Sequence, residues 1–375
     1  MDANSASASD RPETSKWHGA DHQGGLDAPV IPRDSAQDYD EHRCGIASPV
    51  SRRFLRPTSA DMQRGTIAMP YVDACGVKLY VEETGQGRPI IFAHEFGSDL
   101  RSWDLQVSHF AKSHRCIVYN SRGYPPSDVP EDAALYGWEH AVGDIDAVMR
   151  GLGLDRAHLV GASMGAYAAL QFGLRYPGRA SAIVAAAAGS GCSPSQREQW
   201  LKQTSTLARS LIDRGLDVTA DRIAHSPTRI QLKHKNHRAW REFADRLGRL
   251  SARGLSTTMV RYQMLRPSLY DSRDSLATLA IPVLLAVGDE DTPCVDTNLM
   301  LKACLPDAGL WICPNTGHTI NLEEPAAFNA QVEGFLDAVE RGCWRHEYPK
   351  SRQRLRNLDA EQAGSTISLA QRRMR

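Results

Sequence analysis

A chain of 375 residues that is 42% apolar is long enough for one large domain or two ordinary ones with a sizeable core. Its 44 basic and 44 acidic side chains cancel, so no global field favours nucleic acid or an anionic lipid surface, and neither is expected as a partner. The chain has no run of about 18 apolar residues, so no membrane span is expected, and its start, MDANSASASDRPETSKW, does not read as a secretory signal.

Residues 1–66 are rich in Ser, Asp, Gly, Pro and Arg and poor in large apolar side chains. Such a stretch cannot bury enough surface to offset its chain entropy, so it is expected to be disordered. Order is expected from YVDACGVKLYVEETGQGRP, where two β-rich runs flank Cys75-Gly76 as a hairpin. PIIFAH (89–94) then reads as a buried parallel strand. RCIVYN (115–120) is a second such strand, and WEHAVGDIDAVMRGLG (138–153) carries its apolar residues at helical spacing. AHLVGA (157–162), MGAYAALQFGLRYP (164–177) and SAIVAAAA (181–188) continue as strand, helix and strand. This alternation predicts an α/β fold with a parallel sheet covered on both faces.

Between residues 190 and 275 the alternation stops. EQWLKQTSTLARSLIDRGL, NHRAWREFADRLGRLSARG and TTMVRYQML are helical and charged, with no strand between them. A helical cap inserted into the α/β core, which would comprise 67–189 and 276–341, is the expectation. An insertion there would sit over the C-terminal strand ends, where open sheets bind ligands. IPVLLAVGDEDTP (281–293) and GLWICPNTGH (309–318) resume the strands, and AAFNAQVEGFLDAVE (326–340) closes the core as an amphipathic helix. The tail 342–375 reads as a basic, solvated segment. The eight scattered cysteines contain no C-x-x-C, so reduced thiols in a cytoplasmic enzyme are expected.

The chemistry centres on GASMG, residues 161–165. Ser163 follows a strand and opens a helix, which is the context of a nucleophile elbow. The turn is sharp, so its neighbours must be small, and Gly161, Ala162 and Gly165 are. A serine needs a base. His318 lies just after the last predicted strand, on a loop before a helix. The base needs an acid to hold its tautomer and stabilise the imidazolium. Asp289, Glu290 and Asp291 follow a buried strand; Asp291, two residues before Pro293, is the first choice and Asp289 the second.

With the chain order Ser163, Asp291, His318, the stretches FAHEFGSDLRSW, YNSRGYPPSD, LVGASMGAYAAL, VGDEDTP and NTGHTINLEEP together make residues 70–340 resemble the α/β-hydrolase fold family. The resemblance implies a mostly parallel eight-stranded sheet with a helical cap. It also implies an oxyanion hole made by the backbone N–H groups of Phe96 and Met164. The chain departs from the family at His94-Glu95-Phe96-Gly97, with Glu95 where glycine is usual. Glutamate tolerates positive φ poorly, so the loop must adjust. Glu95 is expected to face solvent, with a place in the pocket as the alternative. A second departure is Asn120-Ser121-Arg122-Gly123, where the family often has aspartate first, read as a partner of the arginine. Tyr124-Pro-Pro-Ser127 replaces a glycine-bearing turn. Trp103 and Tyr167 are candidate pocket walls, although core packing explains them equally well, and Met164 shares that position near the elbow.

HKNH (234–237) reads as polar cap surface, and no metal-ligand spacing or glycine-rich phosphate loop is present. No cofactor and no metal are implied. The expected function is a cofactor-independent serine hydrolase, esterase-like, acting on a small-molecule ester, lactone or related carbonyl compound through an acyl-enzyme. The same triad serves acyl transfer or C–C bond hydrolysis, and the fold also serves non-catalytic binding.

Overall fold

Residues 71–189 and 193–344 are described here from a computed structural model. The expectations for 1–66 and for the tail beyond residue 344 fall outside these residues. Eight strands form one sheet: β1 (Tyr71–Ala74), β2 (Val77–Thr84), β3 (Arg88–Ala93), β4 (His114–Tyr119), β5 (Ala157–Ala162), β6 (Ala180–Ala186), β7 (Val283–Gly288) and β8 (Ala308–Cys313). Their order is β1-β2-β4-β3-β5-β6-β7-β8. β2 pairs antiparallel with β1 and β4, and every other neighbour pair is parallel. The central strands β5, β6 and β7 are buried almost throughout, which is why their sequences run apolar without alternation.

Helices cover both faces. Against one lie α1 (Asp104–Phe110) and the closing helix described below, whose Phe110, Phe328, Phe335 and Leu336 pack with Phe92, Val160 and Val184. Against the other lie α2 (Trp138–Gly151) and α3 (Met164–Arg175). Small residues let α3 approach the sheet: a Cβ on Gly173 would stand 2.7 Å from Ile183 Cδ1.

From Pro194 to Leu276 there is no strand. The helices are α4 (Arg197–Asp213), α5 (Leu216–Ala224), α6 (Pro227–Lys235), α7 (His237–Leu247), α8 (Ala252–Thr257), a π-helical turn at Thr258–Gln263, and α9 (Arg273–Leu276). The three helical stretches expected from the sequence fall on α4, on α7 with the start of α8, and on the π-helical turn, whereas α5 and α6 lie in the span between the first two and are not among the expected stretches. The residues that bound these helices are ordinary helix signals. Gly215 takes φ +83, Pro227 opens α6, Asn236 accepts from Ala239 N–H at 3.0 Å, and Ser251 accepts from Gly254 N–H at 3.1 Å. After the insertion come α10 (Thr292–Cys304), α11 (Ile320–Glu323) and the closing α12 (Pro325–Glu340). No helix among the described residues is long and apolar enough to cross a membrane.

Candidate active site

Ser163 occupies the turn between β5 and α3 with φ 49 and ψ −105. An L-residue there carries backbone strain of about 1–3 kcal/mol. The surroundings hold it: Ser163 N–H donates to Ala186 O at 2.8 Å, and Tyr167 N–H donates to Ser163 O at 3.0 Å. The two flanking glycines are sterically required. A Cβ on Gly161 would lie 2.3 Å from Gly165 O, and one on Gly165 would lie 2.2 Å from Ala93 O. Met164 is the first residue of α3, so its N–H belongs to the helix turn that has no partner further back in the helix. The positive end of the helix dipole lies at the same place.

His318 lies on the loop between β8 and α11, and its Nδ1 is 2.7 Å from Asp291 Oδ2. Nδ1 therefore carries the proton, which leaves Nε2 as the basic nitrogen of the neutral ring. Burial pulls the His318 pKa down, but the charge and hydrogen bond of Asp291, helped by Glu95, raise it above the ordinary histidine value. Burial pushes Asp291 up, yet His318 outweighs it and holds the carboxyl below its usual range. Asp291 is thus paired with His318, whereas Asp289 accepts from Thr316 N–H at 3.1 Å and ties the two loops together. Ser163, Asp291 and His318 follow β5, β7 and β8 and share the C-terminal edge of the parallel strands.

Glu323 clamps the His318 loop and escapes notice in the sequence. Its carboxylate accepts from Gly317 N–H (2.6 Å), Thr319 N–H (3.0 Å) and the Thr319 hydroxyl (2.8 Å). The only available signal is a glutamate in the first turn of the helix that follows the histidine.

The loop after β3 differs from expectation. Glu95 does not face solvent. It is 4% exposed, and its Oε2 lies 2.7 Å from Arg229 Nη2 on α6 and 3.7 Å from His318 Nε2. The loop also needs no strained glutamate, because the positive φ falls on Gly97 (φ 73). His94 explains why the loop holds its shape. Ser121 N–H donates to His94 Nε2 (3.0 Å), so Nδ1 bears the proton and donates to Glu95 O (2.8 Å). Burial pulls the His94 pKa down, which suits a neutral ring with one donor and one acceptor. Phe96, half-buried, follows directly.

Asn120 and Arg122 also differ from expectation. Asn120 is no partner of the arginine: it accepts from Leu100 N–H (2.8 Å) and donates to Pro125 O (2.7 Å). Arg122 instead pairs with Asp144 on α2. Trp103 and Tyr167 are fully buried, and their contacts are those of core packing, the second of the two readings the sequence allows. Trp103 packs between Phe92 and Phe328, and Tyr167 ties α3 to the insertion by donating to Pro267 O at 3.0 Å.

Helix α6 lies over this region. Arg229 and Leu232 share its buried face one turn apart. Arg229 reaches Glu95, while Lys235 at the far end donates to Thr316 Oγ1 (3.1 Å) and Glu324 Oε1 (2.6 Å). The insertion is therefore tied both to the loop after β3 and to the His318 loop. Lys235 lies within HKNH, so part of that stretch is a tether rather than open surface.

Among the described residues, Asp291, Cys294 and His318 are the group that comes close enough to hold a metal. Burial and the Asp291 carboxylate push the Cys294 thiol up, the opposite of what a thiolate ligand needs. His318 Nδ1 is already engaged by Asp291.

Residues 88–325 match the family model described as the alpha/beta hydrolase fold. The chain is similar to 3-oxoadipate enol-lactonase 1 of Acinetobacter baylyi, at 26% identity over 67% of this chain and 89% of that protein. It is also similar to 2-hydroxy-6-oxo-6-phenylhexa-2,4-dienoate hydrolase of Burkholderia cepacia, at 27% identity over 69% of this chain and 91% of that one. Among solved structures, the enol-lactonase of Burkholderia xenovorans LB400 superposes with a TM-score of 0.62 at 21% identity, covering 72% of this chain and all of that one. The chain belongs to the α/β-hydrolase fold family.

Proposed function

We propose that this protein is a cofactor-independent serine hydrolase of small esters, lactones or related carbonyl compounds. The observation that carries the reading is the partly buried His318–Asp291 hydrogen bond at the strand edge that also presents Ser163 on a strained elbow. His318 Nε2 takes the Ser163 proton as Oγ attacks the carbonyl carbon. The oxygen becomes an oxyanion, and the N–H groups of Phe96 and Met164 stabilise it; losing one such donor typically costs about 2.7–4 kcal/mol. His318 returns the proton to the leaving group, which departs and leaves an acyl-enzyme. Water, deprotonated by His318, then releases the acid and regenerates Ser163. Asp291 orients the ring and stabilises the imidazolium throughout.

Glu95 puts a negative charge near a forming oxyanion, and Arg229 offsets that charge. Similarity to a hydrolase of a phenylhexadienoate supports a second use of the same triad, hydrolysis of a C–C bond. Incubating the purified protein with short-chain esters, lactones and β-diketones, followed by mass analysis of products, separates the readings. Free acid plus alcohol from esters supports the first; ketone plus acid from diketones supports the second. Turnover that persists in Ser163→Ala contradicts both.

A further inference from the structure

Arg266 is buried at 4% exposure, and no carboxylate among the described residues lies within ion-pair distance of it. Its Nε and Nη1 are buried without a hydrogen-bond partner among the described residues. Its guanidinium lies over the rings of Tyr167 (4.6 Å) and Tyr262 (5.9 Å). Such stacking recovers only part of the penalty for taking an ion out of water. Arginine cannot escape by losing its proton. Burial opposes the charge here, and Arg197 adds a second positive charge nearby. The fold therefore maintains an unneutralised cation at a cost that no contact among the described residues repays.

Its place is specific. The π-helical turn that precedes it is tied to the elbow, with Tyr262 Oη donating to Met164 O at 2.8 Å. Arg197 Nη2 fixes the exit of that turn by donating to the carbonyls of Met264 (3.2 Å) and Arg266 (3.1 Å). The guanidinium reaches the end of β6: an added Cβ on Gly189 would stand 4.0 Å from Arg266 Nη2 and 3.8 Å from Cys294 Sγ, in otherwise open contact. Cys294 Sγ is itself 3.7 Å from His318 Nδ1. Gly189 is three residues beyond Ala186, whose carbonyl receives Ser163 N–H. Arg266 thus lies on the β6 side of the elbow, against Gly189 and against Tyr167, one helical turn beyond Ser163.

We propose that Arg266 is an anion-binding subsite and that the substrate is a carbonyl compound bearing a carboxylate. The parallel donor pairs of a guanidinium are Nε–H with Nη2–H and Nη1–H with Nη2–H, so either edge combines one unpartnered nitrogen with the Nη2 that borders Gly189, as a bidentate carboxylate needs. Glu95 does not fill this role, because Arg229 holds it. The inference names the substrate class of the Ser163 site and rests on that reading.

The test uses the full-length protein and two matched esters, neutral 4-nitrophenyl butyrate and anionic mono-4-nitrophenyl succinate. Wild type should favour the anionic ester in kcat/KM by about 10- to 100-fold, the range of a charge-assisted bidentate contact. Arg266→Gln should abolish the preference, mainly through KM, and Arg266→Lys should restore part of it. Gly189→Asp leaves Arg266 in place and sets a carboxylate beside Nη2; it should also abolish the preference. Equal use of both esters by wild type, or a preference that survives in the Gln or Asp variants, overturns the subsite. Calorimetry of adipate binding to Ser163→Ala and to Ser163→Ala/Arg266→Gln tests the subsite without turnover. Binding that needs Arg266 supports it even if neither ester is cleaved, which would count against the hydrolase reading alone. Absent or Arg266-independent binding overturns it.

Discussion

Two buried arginine–carboxylate pairs, Arg122–Asp144 and Arg229–Glu95, lie among the described residues and are built differently. Arg122 and Asp144 are 7% and 1% exposed, and every guanidinium nitrogen is occupied: Nε and Nη2 by Asp144, Nη1 by Leu135 O, and Nη2 also by Ala74 O. Arg229 and Glu95 are equally buried, at 5% each, but the set is incomplete. Arg229 Nε has no partner, its Nη1 reaches only the neighbouring Thr228 O, and the Glu95 carboxylate leans toward His318 Nε2. Buried charge is costly unless fully paired and hydrogen-bonded. The saturated pair welds the loop after β4 to α2. The unsaturated pair joins the insertion to the proposed base, where incomplete pairing leaves charge for the chemistry to use.

Substitutions separate the two designs. The largest effect is expected at the site's own acid: Asp291→Asn should lower kcat by about 10⁴-fold, as the ring loses the partner that holds its tautomer. Asp144→Asn should instead unfold the framework, lowering stability by about 3–5 kcal/mol in urea titration, because the Arg122 charge would remain buried and fixed. Glu95→Gln should cost less, about 1–3 kcal/mol, since Glu95 takes a single bond from Arg229 that the amide carbonyl still accepts, whereas Asn at 144 would turn its amide NH2 toward one of the two Arg122 donors. A larger loss for Glu95→Gln than for Asp144→Asn would break the comparison.

The same Glu95→Gln variant carries a pH signature. Catalysis needs neutral His318, so kcat/KM should rise with pH through an apparent pKa above the ordinary histidine value. Removing the Glu95 charge destabilises the imidazolium, and Arg229, no longer neutralised, opposes it further. The acid limb should move to lower pH; Asp144→Asn should leave it in place. For stability the sign is opposite. A histidine raised in the folded state contributes stability below its unfolded pKa, and this contribution is lost as pH rises through the folded value. The smallest effect is expected at the partly exposed Lys235–Glu324 pair, where Lys235→Met should cost under about 1 kcal/mol in a urea titration.

Local patterns carried the fold and singled out Ser163, Asp291 and His318 as candidates. Continuous apolar runs marked the strands that became β3 to β8, and GASMG marked an elbow whose two glycines are sterically required. Asp291 was separable from Asp289 only weakly in the sequence, because both follow the same strand; the structure divides them by burial and partner. The Glu95–Arg229 pair was out of reach, since its members stand 134 residues apart and an inserted helix brings them together. Arg122 was misassigned for a related reason. Asn120 is its neighbour in sequence, but Asp144 meets it only when α2 packs on the sheet.

The proposed chemistry requires Ser163 to be an activated nucleophile. Treating the full-length protein with a fluorophosphonate probe and locating the adduct by mass spectrometry tests it most directly. A single adduct on Ser163, absent from Ser163→Ala and from heat-denatured protein, is the result expected of the proposed triad. A folded wild-type protein that stays unlabelled, or that labels at another residue, would contradict it.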